Sequence, residues 1–329
     1  MAEKVTIATV ARHARVSRQT VSNVLNAPHI VREETRLRVQ EAIAALGYRA
    51  NQAARQMRTG RSRLIAVRIE PTRDGVNGSV LDRFLHGLTE TAEAAGYRVM
   101  LYTAHDTERE IATYDDLLGS YDLDAFVLTG TDHGDPRTAW LAQRGVPFVT
   151  FGRPWDAPDA HPWVDVDGAA GTAEATTHLL AAGHRRIGFI GWPAGSGVGD
   201  DRRSGWRRTL AAAGVDPAGL DRATVDGIPE GEHAARRLLA EAAAPTALLC
   251  ASDSLALGAL QAVRAEAPDV AVIGFDDTPV AAAVGLTSVS QPLGEAAARC
   301  VDLLTAVLDG RHTTDHVLLQ PALVRRHTA

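Results

Sequence analysis

Cysteine is nearly missing from this chain, with two residues, Cys250 and Cys300, among 329. Two isolated thiols exclude a disulfide framework, and both are expected to be small core residues. Long apolar runs are also missing, and the N-terminus lacks the basic, apolar and small-residue order of a secretory signal. No membrane partner and a cytoplasmic location are therefore expected. The marks of an enzyme are equally thin. Gly195-Ser196-Gly197-Val198-Gly199 has the glycines of a phosphate loop, but neither the dinucleotide spacing nor a Gly-Lys-Ser/Thr ending. His312 and His316 run into Val317-Leu318-Leu319, which reads as a strand and holds the two imidazoles too far apart for easy chelation. No nucleophile elbow is visible. The expectation is a protein without enzymatic activity, metal or cofactor.

What is present is unevenly spread. A chain of 329 residues, 45% apolar and 22% charged, suits about two globular domains with sizeable cores. The net charge is −6, yet residues 1–63 hold twelve Lys and Arg against four Glu, a local +8 that leaves −14 for the remainder. A basic head on an acidic body is the pattern of a polyanion-binding module attached to a soluble body.

The head has a recognisable grammar. Ser17 is a good N-cap for Arg18-Gln19-Thr20-Val21-Ser22-Asn23-Val24-Leu25-Asn26, because its hydroxyl can accept from an amide left unpaired in the first turn. Val21, Val24 and Leu25 recur at helical spacing and give one buried face, while Arg18, Gln19, Ser22 and Asn23 make the other face polar. Upstream, Thr6 caps a second short helix that turns inward through Ile7, Val10, Ala11 and Ala14. Two short helices joined by a tight turn at Arg15-Val16 form a helix-turn-helix, whose second helix can enter a DNA major groove. The competing reading is an amphipathic pair that caps a larger core. Arg18, Gln19 and Asn23 favour DNA, since their fork or amide geometry matches base edges. From Thr35 to Leu46, the residues Leu37, Ala42, Ile43 and Leu46 form an apolar stripe for packing on the first two helices, and Gly47 stops that helix.

VTIATVARHARVSRQTVSNVLN, followed by TRLRVQEAIAALGYRANQAARQM, closely resembles the DNA-binding head of LacI/GalR-type bacterial transcription regulators, and GFDDTPVAAAVGLTSVSQPL is similar to the same family's effector-binding core. These motifs fall in the family's order and cover nearly all of the chain. The resemblance implies operator contacts by Thr6, Ser17, Arg18, Gln19, Thr20, Ser22, Asn23 and Asn26. It also implies that residues 51–58, too few for a stable isolated helix, are a hinge helix that orders only on operator DNA and pairs with its twin in the minor groove. Asn51 and Ala54 would then lie at the groove, and Met57, where Leu is usual, would be the apolar wedge. A plain flexible linker is the alternative. The chain departs from the family at Arg32, usually a small capping residue, and at Arg15, often Gly, which is expected to adopt a positive φ at modest cost.

The body alternates β-rich runs at 64–69, 97–102, 125–128, 148–151, 186–190, 247–250 and 270–275 with helical stretches. Leu81, Phe84, Leu85, Leu88 and Ala92 make one helix stripe, and Leu255, Leu257, Leu260 and Val263 populate another. Alternation of this kind implies βαβ units with parallel sheets and ligands at the carboxyl ends of strands. The resemblance implies two periplasmic-binding-protein-like subdomains joined by crossovers, the first near His161–Asp165 and the second near Gln291. It further implies that Arg202 and Asp276 contact the ligand, while Ser252, where Asn is common, puts one amide contact in doubt. Trp155 and Trp192 follow strands in Gly- and Pro-rich loops, and Trp163 lies near the first crossover. Flat aromatic faces in a polar cleft suit stacking on sugar rings, whereas Trp206, on its helix, is expected in the core.

The fold class expected is an N-terminal all-α helix-turn-helix head plus an α/β body of two periplasmic-binding-protein-like subdomains with parallel sheets. The boundaries are 1–50 for the head, 51–63 for hinge and linker, and 64–329 for the core, divided into about 64–162 plus 292–321 and about 163–291 plus 322–329. The function expected is a homodimeric repressor on pseudo-palindromic operator DNA, controlled by a small-molecule effector, a sugar or oligosaccharide inducer. Effector-site candidates are Trp155, Trp163, Trp192, Arg202, Ser252, Asp276 and Gln291. The end Val324-Arg325-Arg326-His327-Thr328-Ala329 carries no apolar heptads, so no tetramerising coiled coil is expected. A purine corepressor is one rival. A solute-binding receptor is the other, opposed by the basic head.

Overall fold

The computed structural model describes residues 5–48, 60–69, 75–311 and 315–329, which form two compact units divided between Ser62 and Arg63. The head contains α1 (Ile7–His13), α2 (Arg18–Asn26), a single 3₁₀ turn (Pro28–Ile30) and α3 (Glu33–Leu46). Thr6 caps α1 in a reciprocal box with Thr9, and the Ser17 hydroxyl accepts from the Thr20 amide at 3.0 Å to start α2. Arg15 takes φ 55° between these helices, as its place in the tight turn requires, and Gly47 ends α3 at φ 59°. Val10, Val21 and Val39 are wholly buried at the centre of this unit.

The apolar stripe of α3 differs from the one expected. Leu37 is 51% exposed, and Val39 is buried in its place. Val39, Ala42, Ile43 and Leu46 share one side of a 3.6-residue helix, while Leu37 lies roughly 200° away from Val39. The helix also begins two residues before Thr35, without a side-chain cap at Arg32.

The body contains two six-stranded sheets. The first has the order β11-β5-β4-β3-β1-β2, built from β1 (Leu64–Ile69), β2 (Arg98–Thr103), β3 (Ala125–Thr129), β4 (Phe148–Phe151), β5 (Trp163–Val166) and β11 (His316–Leu319). The second has the order β12-β10-β9-β8-β6-β7, built from β6 (Ile187–Gly191), β7 (Asp221–Ala223), β8 (Ala247–Cys250), β9 (Ala271–Asp276), β10 (Thr287–Ser290) and β12 (Ala322–Val324). Every pairing is parallel except β10 with β12. The short strands β7, β10 and β12 carry too little periodicity to be read from the sequence, and β5 was expected to be a crossing.

The chain crosses between the sheets three times. The first crossing follows β5, which pairs with β4 and β11 in the first sheet, so it falls just after Val166, next to the expected His161–Asp165, and residues 163–166 belong to the first lobe and not the second. The second follows β10 at Gln291, and the third separates β11 from β12. Helix Leu293–Leu308 returns to the first lobe, where Ala296, Ala297, Cys300 and Val301 pack with Phe84 and Leu88 of helix Gly75–Ala94. Both cysteines are buried free thiols, and burial pushes their ionisation upward, which leaves them inert packing groups. Trp206 is wholly buried against Phe189, as a core residue.

Two helices of the second lobe cross at backbone contact. A Cβ on Gly258, in helix Asp253–Glu266, would lie 1.9 Å from the Ile228 carbonyl oxygen, and one on Gly231, in helix Ile228–Leu239, would lie 2.3 Å from that of Leu255. Gly258→Ala is expected to force these helices apart at a cost of about 1–3 kcal/mol. A thermal melt should show a lowered Tm, and an unchanged midpoint would contradict this crossing.

Candidate functional site

On the head, α2 turns its polar side outward. Ser17, Arg18 and Gln19 are exposed, Ser22 and Asn23 are half-buried, and Val21 and Val24 face the core. Gln19 Nε2 donates to Asn23 Oδ1 at 2.9 Å one turn later, which joins two amides into one preordered surface. Thr20 Oγ1 lies 2.9 Å from the Ser17 hydroxyl at the cap, and Asn26 Nδ2 donates to the Ser22 carbonyl at 2.6 Å. Thr6 is exposed at the start of α1. Asn51, Ala54 and Met57 lie outside the described residues.

In the body, a cleft opens between the lobes along the carboxyl ends of the strands. It has an inner chamber of about 260 Å³ and an outer one of about 1080 Å³, with Leu81, Gly130, Thr131, Trp192 and Val198 lining both. Trp155, Trp192, Arg202, Asp276 and Gln291 all reach the inner chamber. Arg202 is 6% exposed, its guanidinium carbon 3.7 Å above the Phe275 ring and 5.4 Å from that of Trp192. One of its terminal nitrogens donates to the Ala251 carbonyl and lies 3.5 Å from Asp276 Oδ1. Gln291 donates to the same oxygen at 2.7 Å.

Two expected site residues are elsewhere. Trp163 stands in β5, 4% exposed, stacked on His316 at 4.6 Å between ring centroids, with Nε1 donating to the Pro158 carbonyl at 2.7 Å. Ladder pairing fixes its direction, and it does not line the chambers. Ser252 caps helix Asp253–Glu266 through the Leu255 amide and donates to the Asp226 carboxylate, so it supports the outer wall from behind. Trp155 reaches the inner chamber, but its pyrrole ring lies against Gly197 and the Arg153 guanidinium carbon sits 4.7 Å from the ring centroid. Trp192 also has a guanidinium beside it, that of Arg202, but it lines both chambers whereas Trp155 lines the inner one alone.

The wall also holds residues that the sequence reading passed over: Thr129, Asp165 and Asp201 in the inner chamber, and Arg68, Asp132 and Asp226 in the outer one. Thr129 and Asp165 belong to strand carboxyl ends, so the rule on ligands at those ends could have found them. Behind this wall, buried Glu110 accepts from the Tyr102 and Tyr114 hydroxyls at 2.9 and 2.8 Å and pairs with Arg68 and Arg137. Arg137 in turn donates to the Gly130 carbonyl at 2.9 Å, which fixes the loop that follows β3. Across the cleft, Arg83 donates to the carbonyls of Asp276 and Asp277, at 3.4 and 3.2 Å, and so ties the first lobe to the turn that carries the buried carboxylate.

Burial dominates the electrostatics of this pocket. Asp276 is pushed up to about 7 by desolvation, partly offset by Arg202, with Asp253 and Asp226 raising it further. Asp201 is likewise raised by burial, against the lowering effect of Arg153. Three polar atoms of the inner wall are buried without a hydrogen-bond partner: Thr129 Oγ1, Trp192 Nε1 and Arg202 Nε. Buried polar groups are ordinarily satisfied, and each unmade bond costs about 1–3 kcal/mol. A ligand rich in hydroxyls would supply the missing partners.

Comparison with known proteins agrees with both halves of this arrangement. A family model described as bacterial regulatory proteins, lacI family, matches residues 6–51, and one described as a periplasmic binding protein-like domain matches residues 176–329. The HTH-type transcriptional regulator AglR of Rhizobium meliloti is 35% identical over 298 residues, covering 86% of this chain and 82% of that protein. The HTH-type transcriptional regulator CelR of Thermobifida fusca is 34% identical over 302 residues, covering 87% of each. The crystal structure of the lac repressor dimer bound to operator and the anti-inducer ONPF superposes with a TM-score of 0.85 at 27% identity, covering 99% of both chains. A CelR–cellobiose complex superposes at 0.75 with 30% identity, covering 99% of this chain and 100% of that one.

Proposed function

Because the chain belongs to the lacI family of bacterial regulatory proteins, we propose that it is a cytoplasmic transcription repressor that binds pseudo-palindromic operator DNA as a homodimer and releases it when a sugar or oligosaccharide occupies the cleft. The observation that carries the effector reading is the inner chamber, whose lining combines Trp192 and the carboxyl ends of strands with three residues that each carry a partnerless polar atom. A saccharide offers hydroxyls to those atoms and an apolar ring face to an indole. The inner chamber of about 260 Å³ is small for a complete ligand site, typically about 300–1,000 Å³, while the outer one reaches about 1080 Å³. A ligand of two or more rings fills the first and extends into the second. Among similar proteins, the CelR–cellobiose complex supports the same choice.

On the DNA side, one short recognition helix reads few base pairs, so useful affinity needs two heads. Arg18, Gln19 and Asn23 read bases, and Thr6, Ser17, Thr20, Ser22 and Asn26 set the helix at the backbone. Residues 51–58, with Asn51, Ala54 and Met57, act as the hinge that registers the effector. Selecting operator from a random duplex library and titrating it by fluorescence anisotropy, with and without saccharides, tests the whole reading; preferred DNA that no saccharide releases would oppose it. Arg18→Ala is expected to cost about 1–3 kcal/mol on the selected operator and to relax preference at one base pair. Titrating single-base operator variants at fixed salt checks this, because an equal loss on every sequence would make Arg18 a phosphate contact.

A further inference from the structure

The charge balance of the cleft narrows the effector beyond a saccharide in general. Among the described residues, the ionisable side chains lining the inner chamber are Asp165, Asp201 and Asp276 against Arg202 alone. The outer chamber repeats the imbalance with Asp82, Asp132 and Asp226 against Arg68. Both guanidiniums are already paired with a carboxylate, and Arg202 Nε is left without a hydrogen-bond partner. Arg68 is held at 2.8 Å by the buried Glu110, and Arg202 is committed to the Ala251 carbonyl and Asp276 between two aromatic rings.

Phosphate recognition is built from helix N-termini, backbone nests and guanidinium or ammonium groups free to pair. Here the nearby helix start at Gly197 is already taken, since its amide donates to Asp132 Oδ1 at 3.3 Å. Of the three partnerless atoms of the inner wall, Trp192 Nε1 and Thr129 Oγ1 are neutral groups, matched to hydroxyls, and Arg202 Nε belongs to a guanidinium that already faces Asp276. A phosphoryl group brought here would face carboxylates on both walls and meet only guanidiniums already paired with carboxylates, in a space where burial weakens screening.

We propose that this cleft is selective for an uncharged saccharide and rejects phosphorylated sugars and nucleotides. This rests on the reading of the cleft as a sugar site, and the experiment separates the two. In the first arm, thermal shift of the full chain is followed with matched pairs, cellobiose and cellobiose 6′-phosphate, trehalose and trehalose 6-phosphate, and with neutral hydrolysates of cellulose, starch, xylan and chitin. A shift with a neutral ligand, and affinity at least about 30-fold weaker for a phosphorylated partner, is the expected result. A phosphorylated member that binds as well as its neutral mate overturns the selectivity while leaving the sugar site standing. No shift with any saccharide overturns the sugar reading, and the proposal with it.

The second arm needs no ligand. Trp192 fluorescence, taken as the difference between the wild type and Trp192→Phe, is quenched with caesium, iodide and neutral acrylamide. An acidic cleft concentrates cations and repels anions, so caesium should quench at least about twice as well as iodide relative to acrylamide. Equal or stronger quenching by iodide overturns the electrostatic argument, whatever the sugars do.

Discussion

Replacing Arg202 with alanine is expected to weaken effector binding by about 100-fold while leaving operator affinity within about two-fold. The guanidinium is fixed on four sides, by Phe275, Trp192, the Ala251 carbonyl and Asp276, with Nε still unpaired at the inner wall. One charge-assisted hydrogen bond to a ligand hydroxyl contributes about 1.5–3 kcal/mol, and each 1.4 kcal/mol is tenfold in affinity. The side chains proposed to read bases belong to the other compact unit, so the loss should not spread to DNA. Truncation also strips Asp276 of its buried partner, and breaking such a pair costs stability. Arg202→Lys, which keeps the charge without the planar fork, is therefore the companion variant. Calorimetric titration of the effector, anisotropy on the operator and circular dichroism of both variants decide the matter. Loss of operator binding in a folded Arg202 variant would sink the division of labour between cleft and head.

The head was legible because its determinants are local. Caps at Thr6 and Ser17, a tight turn at Arg15 and a stop at Gly47 each act within four residues, and all are found where the sequence puts them. Leu37 was misread because apolar identity was taken for position on the helix; Val39 occupies the buried side. The body was legible where strands are long and apolar, and opaque where pairing across the sheet decides. Trp163 shows the difference. Its place near the expected first crossover suggested a cleft residue, but pairing with β4 and β11 turns it onto His316. Ser252 was placed correctly beside a strand end, yet the cap and the Asp226 carboxylate take its hydroxyl. Arg83 and Asp201 carried no signal of their own, because what makes them part of the cleft is the approach of a second lobe encoded far away in the chain.

The second large effect belongs to Asp276, whose substitution by asparagine should reduce effector affinity by about 10- to 100-fold and yet raise the stability of the effector-free protein above neutral pH. The residue is 5% exposed and adopts φ 109°, a conformation that Asp and Asn enter more readily than other side chains. Its Oδ1 accepts from Gln291 at 2.7 Å, and an asparagine oxygen can keep that bond. Burial raises the carboxyl to about 7 in the folded chain from an ordinary 3.8. Between those values the folded state retains a proton that the unfolded state has released, so stability falls as pH rises from about 4 to about 7 and stays lower beyond. Asp253, raised to about 6 by burial, contributes in the same direction and remains in the variant. Asp276→Asn removes one of the two ionisations, so its Tm should exceed that of the wild type at pH 8, and its decline between pH 5 and 8 should be shallower. A ligand that prefers the carboxylate must displace the proton, so wild-type affinity should rise as pH climbs through about 7, whereas the variant's should stay flat. Melts and effector titrations across pH 5–8 read both quantities. A variant less stable than wild type at pH 8, with an unchanged pH profile, would show that Asp276 is an ionised partner of Arg202 in the empty cleft, and that the ligand meets a carboxylate already formed.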